Sequence, residues 1–117
     1  MPSVLFVCSQ NRLRSATAEQ VFAARKDIEV ASAGTNADAD TPLTAELVEW
    51  ADIIFVMENM HRTKLQQRFR SSLKSKRVIC LDIPDDYEFM DPLLVRMLEN
   101  RVPQHLPRMP STPEASD

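Results

Sequence analysis

A chain of 117 residues, 44% hydrophobic and 26% charged, has enough apolar material for one core and reads as a single globular domain. Its net charge of −3, from 14 Lys and Arg against 17 Asp and Glu, argues against a nucleic-acid binder, which carries a basic excess. The one glycine, Gly34, excludes Walker-type and dinucleotide-binding loops, because both need several glycines where backbone approaches phosphate.

The first element is the apolar run Ser3–Val7, with no basic segment before it and polar Ser9-Gln10-Asn11-Arg12 soon after. It is too short for a signal peptide core or a membrane span and reads as a buried strand. Without a leader, the two cysteines Cys8 and Cys80 suit a reducing cytoplasm and no disulfide, and no membrane association is expected. Further strands are expected at Ile28–Ser32, Ile53–Met57 and Arg77–Leu81, each short, apolar and without strict alternation, as in a parallel sheet covered on both faces. Between them, Ala18, Val21, Phe22 and Arg25 form one helical stripe from Ser15 onward. Thr44 caps a short helix to Trp50, Asn59 caps one carrying His61, Leu65 and Phe69, and Asp91 with Pro92 opens the last, with Leu94, Met97, Leu98 and Arg101.

The resulting β-α alternation predicts an α/β fold: a four-stranded parallel sheet, doubly wound, flanked by helices on both faces. The domain is expected to span residues 1–102. Residues 103–117, rich in Pro and Ser, are expected to be a disordered tail. Trp50 and Cys80 read as core, and His61 as a satisfied histidine rather than a metal ligand; no metal or cofactor site is suggested. Seven basic residues from Arg62 to Arg77, with no acid among them, read as a solvated helix face or a docking patch for an anionic partner.

Ligands of open α/β sheets bind beyond the carboxyl ends of the strands. There, Cys8-Ser9-Gln10-Asn11-Arg12-Leu13-Arg14-Ser15 leads from strand into helix. Converging backbone N–H groups, a helix N-terminus and the planar fork of Arg14 make an anion cradle. The same donors favour the anionic form of the Cys8 sulfur, which makes it a nucleophile.

Cysteine, five residues, arginine and serine is the loop pattern of protein tyrosine phosphatases. With the loop so close to the N-terminus, Ala18-Glu19 in the helix, Ser32-Ala33-Gly34-Thr35 after the second strand and Ala51-Asp52-Ile53-Ile54-Phe55-Val56-Met57 at the third, the chain resembles the low-molecular-weight phosphotyrosine phosphatases and the related arsenate reductases. Gln10 stands where that family has glycine, Leu13 where it has a second cysteine, Ala16 where proline is common, and the stretch after Thr35 is short. The resemblance implies a metal-independent hydrolase of phosphotyrosine or other phosphomonoesters acting through a phosphocysteine on Cys8. Its substrate would be a phosphoprotein or a small phosphomonoester, with Arg14 and the amides of Ser9, Gln10, Asn11, Arg12, Leu13 and Arg14 holding phosphate. Ser15 would donate to the sulfur and Asn11 would brace the loop. The implied general acid falls on Asp85, in Ile83-Pro84-Asp85-Asp86-Tyr87, with Asp82, Asp86 and Asp91 as the other candidates. Tyr87 would line the pocket. Two other functions share the cradle: arsenate reduction with external thiols, and phosphate or phosphoprotein binding without efficient turnover.

Overall fold

The computed structural model describes residues 1–106. Its elements are β1 (Ser3–Cys8), α1 (Arg14–Phe22), β2 (Glu29–Gly34), α2 (Ala45–Trp50), β3 (Ile53–Val56), α3 (Asn59–Phe69), a 3-10 turn (Arg70–Leu73), β4 (Arg77–Cys80), α4 (Pro92–Arg101) and a second 3-10 turn (Pro103–His105). The strands form one parallel sheet in the order β2-β1-β3-β4. The expected α/β architecture is therefore present.

The apolar continuity of β1 follows from its central place, since all six of its residues are buried. Val4, Phe6 and Cys8 point to one face, where Ala18 and Phe22 of α1 and Leu94 and Leu98 of α4 cover them. Leu5 and Val7 point to the other, against Val48 of α2 and Leu65 of α3. One pair of helices on each face is the doubly wound arrangement. Phe6 anchors the first core by stacking on Phe22 at 5.8 Å and Phe55 at 5.4 Å between ring centroids, contacts worth about 0.5–1.5 kcal/mol each beyond burial. In this strand order the direction of winding changes between β1 and β3, where a crevice opens beyond the strand ends. Among the described residues no helix is long and apolar enough to cross a membrane.

The predicted starts of α2 and α4 agree with the observed caps: the Thr44 hydroxyl accepts from Leu47 N–H, and the Asp91 carboxylate from Leu93 N–H. Other expectations need correction. Helix α1 ends at Phe22, short of Arg25, which bonds Asp27 instead. Helix α3 is capped by Glu58, one residue earlier than expected, in a reciprocal box with His61. Trp50 is exposed, because the inward positions of the six-residue α2 are taken by Leu47 and Val48. In the basic run, Arg62, Arg68, Lys76 and Arg77 donate to the carbonyls of Val78, Thr35, Glu49 and His105. Those four tie elements together, a role neither sequence reading assigned.

The expected boundary after Val102 also shifts. Pro103–His105 continue as a 3-10 turn, the His105 ring lies 5.9 Å from that of Phe55, and Leu106 is buried in the core beneath α4. Proline is compatible with the first turn of such a helix, so the Pro-rich composition there did not imply loss of structure. The expected tail from residue 107 onward lies outside the described residues. Leu106→Ala should lower unfolding free energy by about 2 kcal/mol, measured by urea titration.

Candidate active site

Between β1 and α1 the chain turns through Ser9–Leu13 with no glycine. The turn is made by Asn11, whose φ of 60° lies in the left-handed region that Asn tolerates better than most residues. The adjoining segment sets the peptide planes. Backbone N–H groups of Thr35, Asn36 and Asp40 donate to the carbonyls of Cys8, Ser9 and Gln10 at 2.9, 3.0 and 3.0 Å. In a trans peptide the next N–H points opposite to the carbonyl. The amides of Ser9, Gln10 and Asn11 are thereby turned away from that segment, and Asn11 N–H points at Cys8 Sγ, 3.3 Å away.

This packing explains the position of the only glycine. A Cβ on Gly34 would lie 2.5 Å from both the Ser9 carbonyl oxygen and Ala39 Cβ.

Around the sulfur, Ser15 Oγ lies 3.0 Å from Cys8 Sγ and donates its one hydroxyl proton to Asn11 Oδ1 at 2.8 Å. With that proton committed, the Cys8 thiol is the donor to Ser15. Arg14 is 2% exposed. Its Nη1 donates to Glu58 Oε1 at 2.9 Å and to the Ile83 carbonyl at 2.7 Å, while its Nε lies 3.7 Å from Asp85 Oδ1. The Nε and Nη2 edge is the fork that suits two oxygens of a phosphoryl group. Cys8, Ser9, Gln10, Arg12, Leu13, Arg14 and Asp85 line one pocket of about 220 Å³.

Of the four candidate acids, only Asp85 lines this pocket. Asp82 takes a contact from the Cys80 thiol at 3.4 Å and Asp91 caps α4. Asp86 is exposed and is not part of the pocket wall. Tyr87, expected in the wall, packs against the larger core instead. Asn11 and Ser15 stand behind the wall, bonded to each other and to the sulfur. Among the described residues no group of three or more His, Cys, Asp or Glu is disposed to hold a metal ion.

Two residues the sequence reading did not place here are Glu58 and, as a loop support, His61. The capping box at the start of α3 joins them, and between them they reach both ends of the loop: Glu58 holds Arg14, and His61 holds Ser9. His61 Nδ1 accepts from Glu58 N–H at 3.0 Å, so Nε2 carries the proton and donates to Ser9 Oγ, also at 3.0 Å. Burial, with the Arg14 charge adding to it, lowers the His61 pKa to about 4. The signal available in the sequence was a polar residue three before a histidine at a helix start, which was passed over when the cap was assigned to Asn59.

A histidine held neutral contributes stability that is complete above its unfolded value of about 6.5 and is lost as pH falls toward 4. Thermal unfolding midpoints of the wild type should drop over that interval by an amount absent from His61→Gln, a difference on the order of 1–2 kcal/mol. Gly34→Ala should cost roughly 1–3 kcal/mol by overpacking and displace the loop, read by denaturation and by weakened binding of inorganic phosphate or vanadate.

The model of the low molecular weight phosphotyrosine protein phosphatase family matches residues 3–49, the segment holding the loop and the strand that packs on it. No curated protein sequence matches the chain. Among solved structures, the chain is similar to YwlE arginine phosphatase as a cysteine-to-serine mutant with phosphorylated active site serine: 22% identity, 88% of this chain and 92% of that one, TM-score 0.73. It is similar to the tyrosine phosphatase AmsI of Erwinia amylovora at 24% identity, covering 91% and 93%, TM-score 0.72. It is also similar to Vibrio vulnificus Wzb in complex with benzylphosphonate at 25% identity, covering 84% and 90%, TM-score 0.66. Over residues 3–49 the chain is thus similar to the low molecular weight phosphotyrosine protein phosphatases, and its fold is one that solved phosphatases share.

Proposed function

We propose that the chain is a cysteine-dependent phosphatase of phosphotyrosine or other phosphomonoesters. The observation that carries this reading is one pocket with a sulfur on its floor, a buried guanidinium beside it and a carboxyl group at its mouth: Cys8, Arg14 and Asp85. In the first step Cys8 Sγ, having lost its thiol proton to solvent, attacks phosphorus in line as the thiolate, the bond to the leaving oxygen breaks, and Asp85 in its protonated form gives that oxygen a proton. The Nε and Nη2 edge of Arg14 and the amides of the loop from Ser9 to Arg14 stabilise the equatorial oxygens, whose charge is greatest in the transition state. In the second step Asp85 takes a proton from water, the water oxygen bonds to phosphorus, and Cys8 leaves as thiolate while Ser15 and Asn11 N–H stabilise the sulfur. Glu58 and the Ile83 carbonyl keep the guanidinium turned so that its outer edge meets the substrate. The phosphorylated active-site serine of the cysteine-to-serine arginine phosphatase mutant supports a covalent step on Cys8.

Arsenate reduction by an internal relay is disfavoured by geometry. Cys80 ends β4 and Cys8 ends β1, with β3 between them. Two strand spacings are about 9–10 Å, beyond the Cα separation a disulfide spans. Burial also pushes the Cys80 thiol up, away from the reactive thiolate.

Hydrolysis of para-nitrophenyl phosphate should proceed in EDTA, be inhibited by vanadate and vanish in Cys8→Ser. Asp85→Asn should reduce kcat/KM for alkyl or unactivated phenyl phosphates by roughly 10²–10³ and spare activated aryl phosphates more. A leaving-group dependence equal in the two proteins would remove Asp85 from the mechanism. Tight phosphate binding without turnover would favour the binding-module reading.

A further inference from the structure

The two arginines of the loop sit in opposite circumstances. Arg14 is buried and held on one edge by Glu58 and the Ile83 carbonyl. Arg12 lines the same pocket with its side chain 56% exposed, and its Nε meets Asp40 Oδ1 at 3.0 Å, with Asp40 itself 55% exposed. An ion pair this open contributes about 0–1 kcal/mol, so Arg12 can exchange Asp40 for another anion at little cost.

The pocket decides where such an anion would come from. At about 220 Å³ it falls below the roughly 300–1,000 Å³ of sites that enclose a whole small ligand. It takes the phosphoryl group and what is directly attached, and the remainder of a substrate lies across the mouth. The two sides of that mouth differ in charge. Asp85 lies on one and, when ionised, disfavours an anionic flank there. Arg12 lies on the side of the loop, with a planar fork matched to a carboxylate.

We propose that Arg12 is a specificity-determining residue, whose guanidinium receives a carboxylate carried by the substrate next to its phosphorylated residue, with Asp40 as the partner it leaves. The substrate class is then a phosphoprotein segment with an acidic neighbour. This rests on the phosphatase reading, and the two are separable by experiment.

Three phosphotyrosine peptides of equal length, flanked by Glu, Gln or Lys, are compared in two ways: kcat/KM with the wild type, and Kd with Cys8→Ser by calorimetry. The expected preference for the Glu over the Gln peptide is about tenfold, the ratio that about 1.4 kcal/mol produces, and it should shrink as salt is raised. In Arg12→Ala the ratio should fall to about one, in Arg12→Lys it should be intermediate, and in Asp40→Asn it should rise. Equal ratios in wild type and Arg12→Ala, or no preference for Glu in the wild type, would overturn the proposal. Absence of turnover on all three peptides and on para-nitrophenyl phosphate would instead overturn the phosphatase reading, and the Kd ratios would still decide the role of Arg12.

Discussion

A guanidinium that is 2% exposed is the constraint around which this small domain is arranged. A buried charge without partners costs several kcal/mol, and Arg14 obtains its partners from the ends of two other strands. It starts α1 itself, Glu58 follows β3, and Ile83 and Asp85 follow β4. The ends of three strands must therefore meet at one point, and the sheet register that brings Cys8 level with Gly34 delivers the Cys8 sulfur to that point. The contacts that pair Arg14 are also the contacts that assemble the pocket.

The sheet, its helices and the meeting of Cys8 and Arg14 at one loop were legible because each has a local cause. Uninterrupted apolar runs mark strands buried on both faces, Asp91-Pro92 marks a helix start, and a cysteine followed six residues later by arginine marks an anion cradle. What was not legible is relational. Glu58 looks like any polar residue before a helix until β3 is placed beside β1. Arg62, Arg68, Lys76 and Arg77 look like a solvated run until their carbonyl partners are seen. Leu106 sits among prolines, and only the surface left beneath α4 explains its burial. Trp50 failed for the reverse reason: a helix of six residues has few inward positions, and smaller neighbours occupied them.

The loop's lack of glycine shows how one requirement is met by two residues. The left-handed turn is assigned to Asn11, whose amide also accepts from Ser15, and the close approach is assigned to Gly34 across the interface. Gln10 is thus compatible with a loop of this shape, since neither backbone demand falls on position 10.

Ser15 has a single hydroxyl proton and two neighbours able to accept it, the Asn11 amide oxygen and, once ionised, the Cys8 sulfur. When the thiol is the donor, polarity runs from sulfur through the hydroxyl to the amide. When the thiolate forms, the same heavy atoms serve with the O–H rotated toward sulfur, and the direction reverses. Gain and loss of charge at the sulfur can be answered by the rotation of one light atom, with no change in the heavy-atom contacts that surround it, so little reorganisation opposes the creation or the release of the anion.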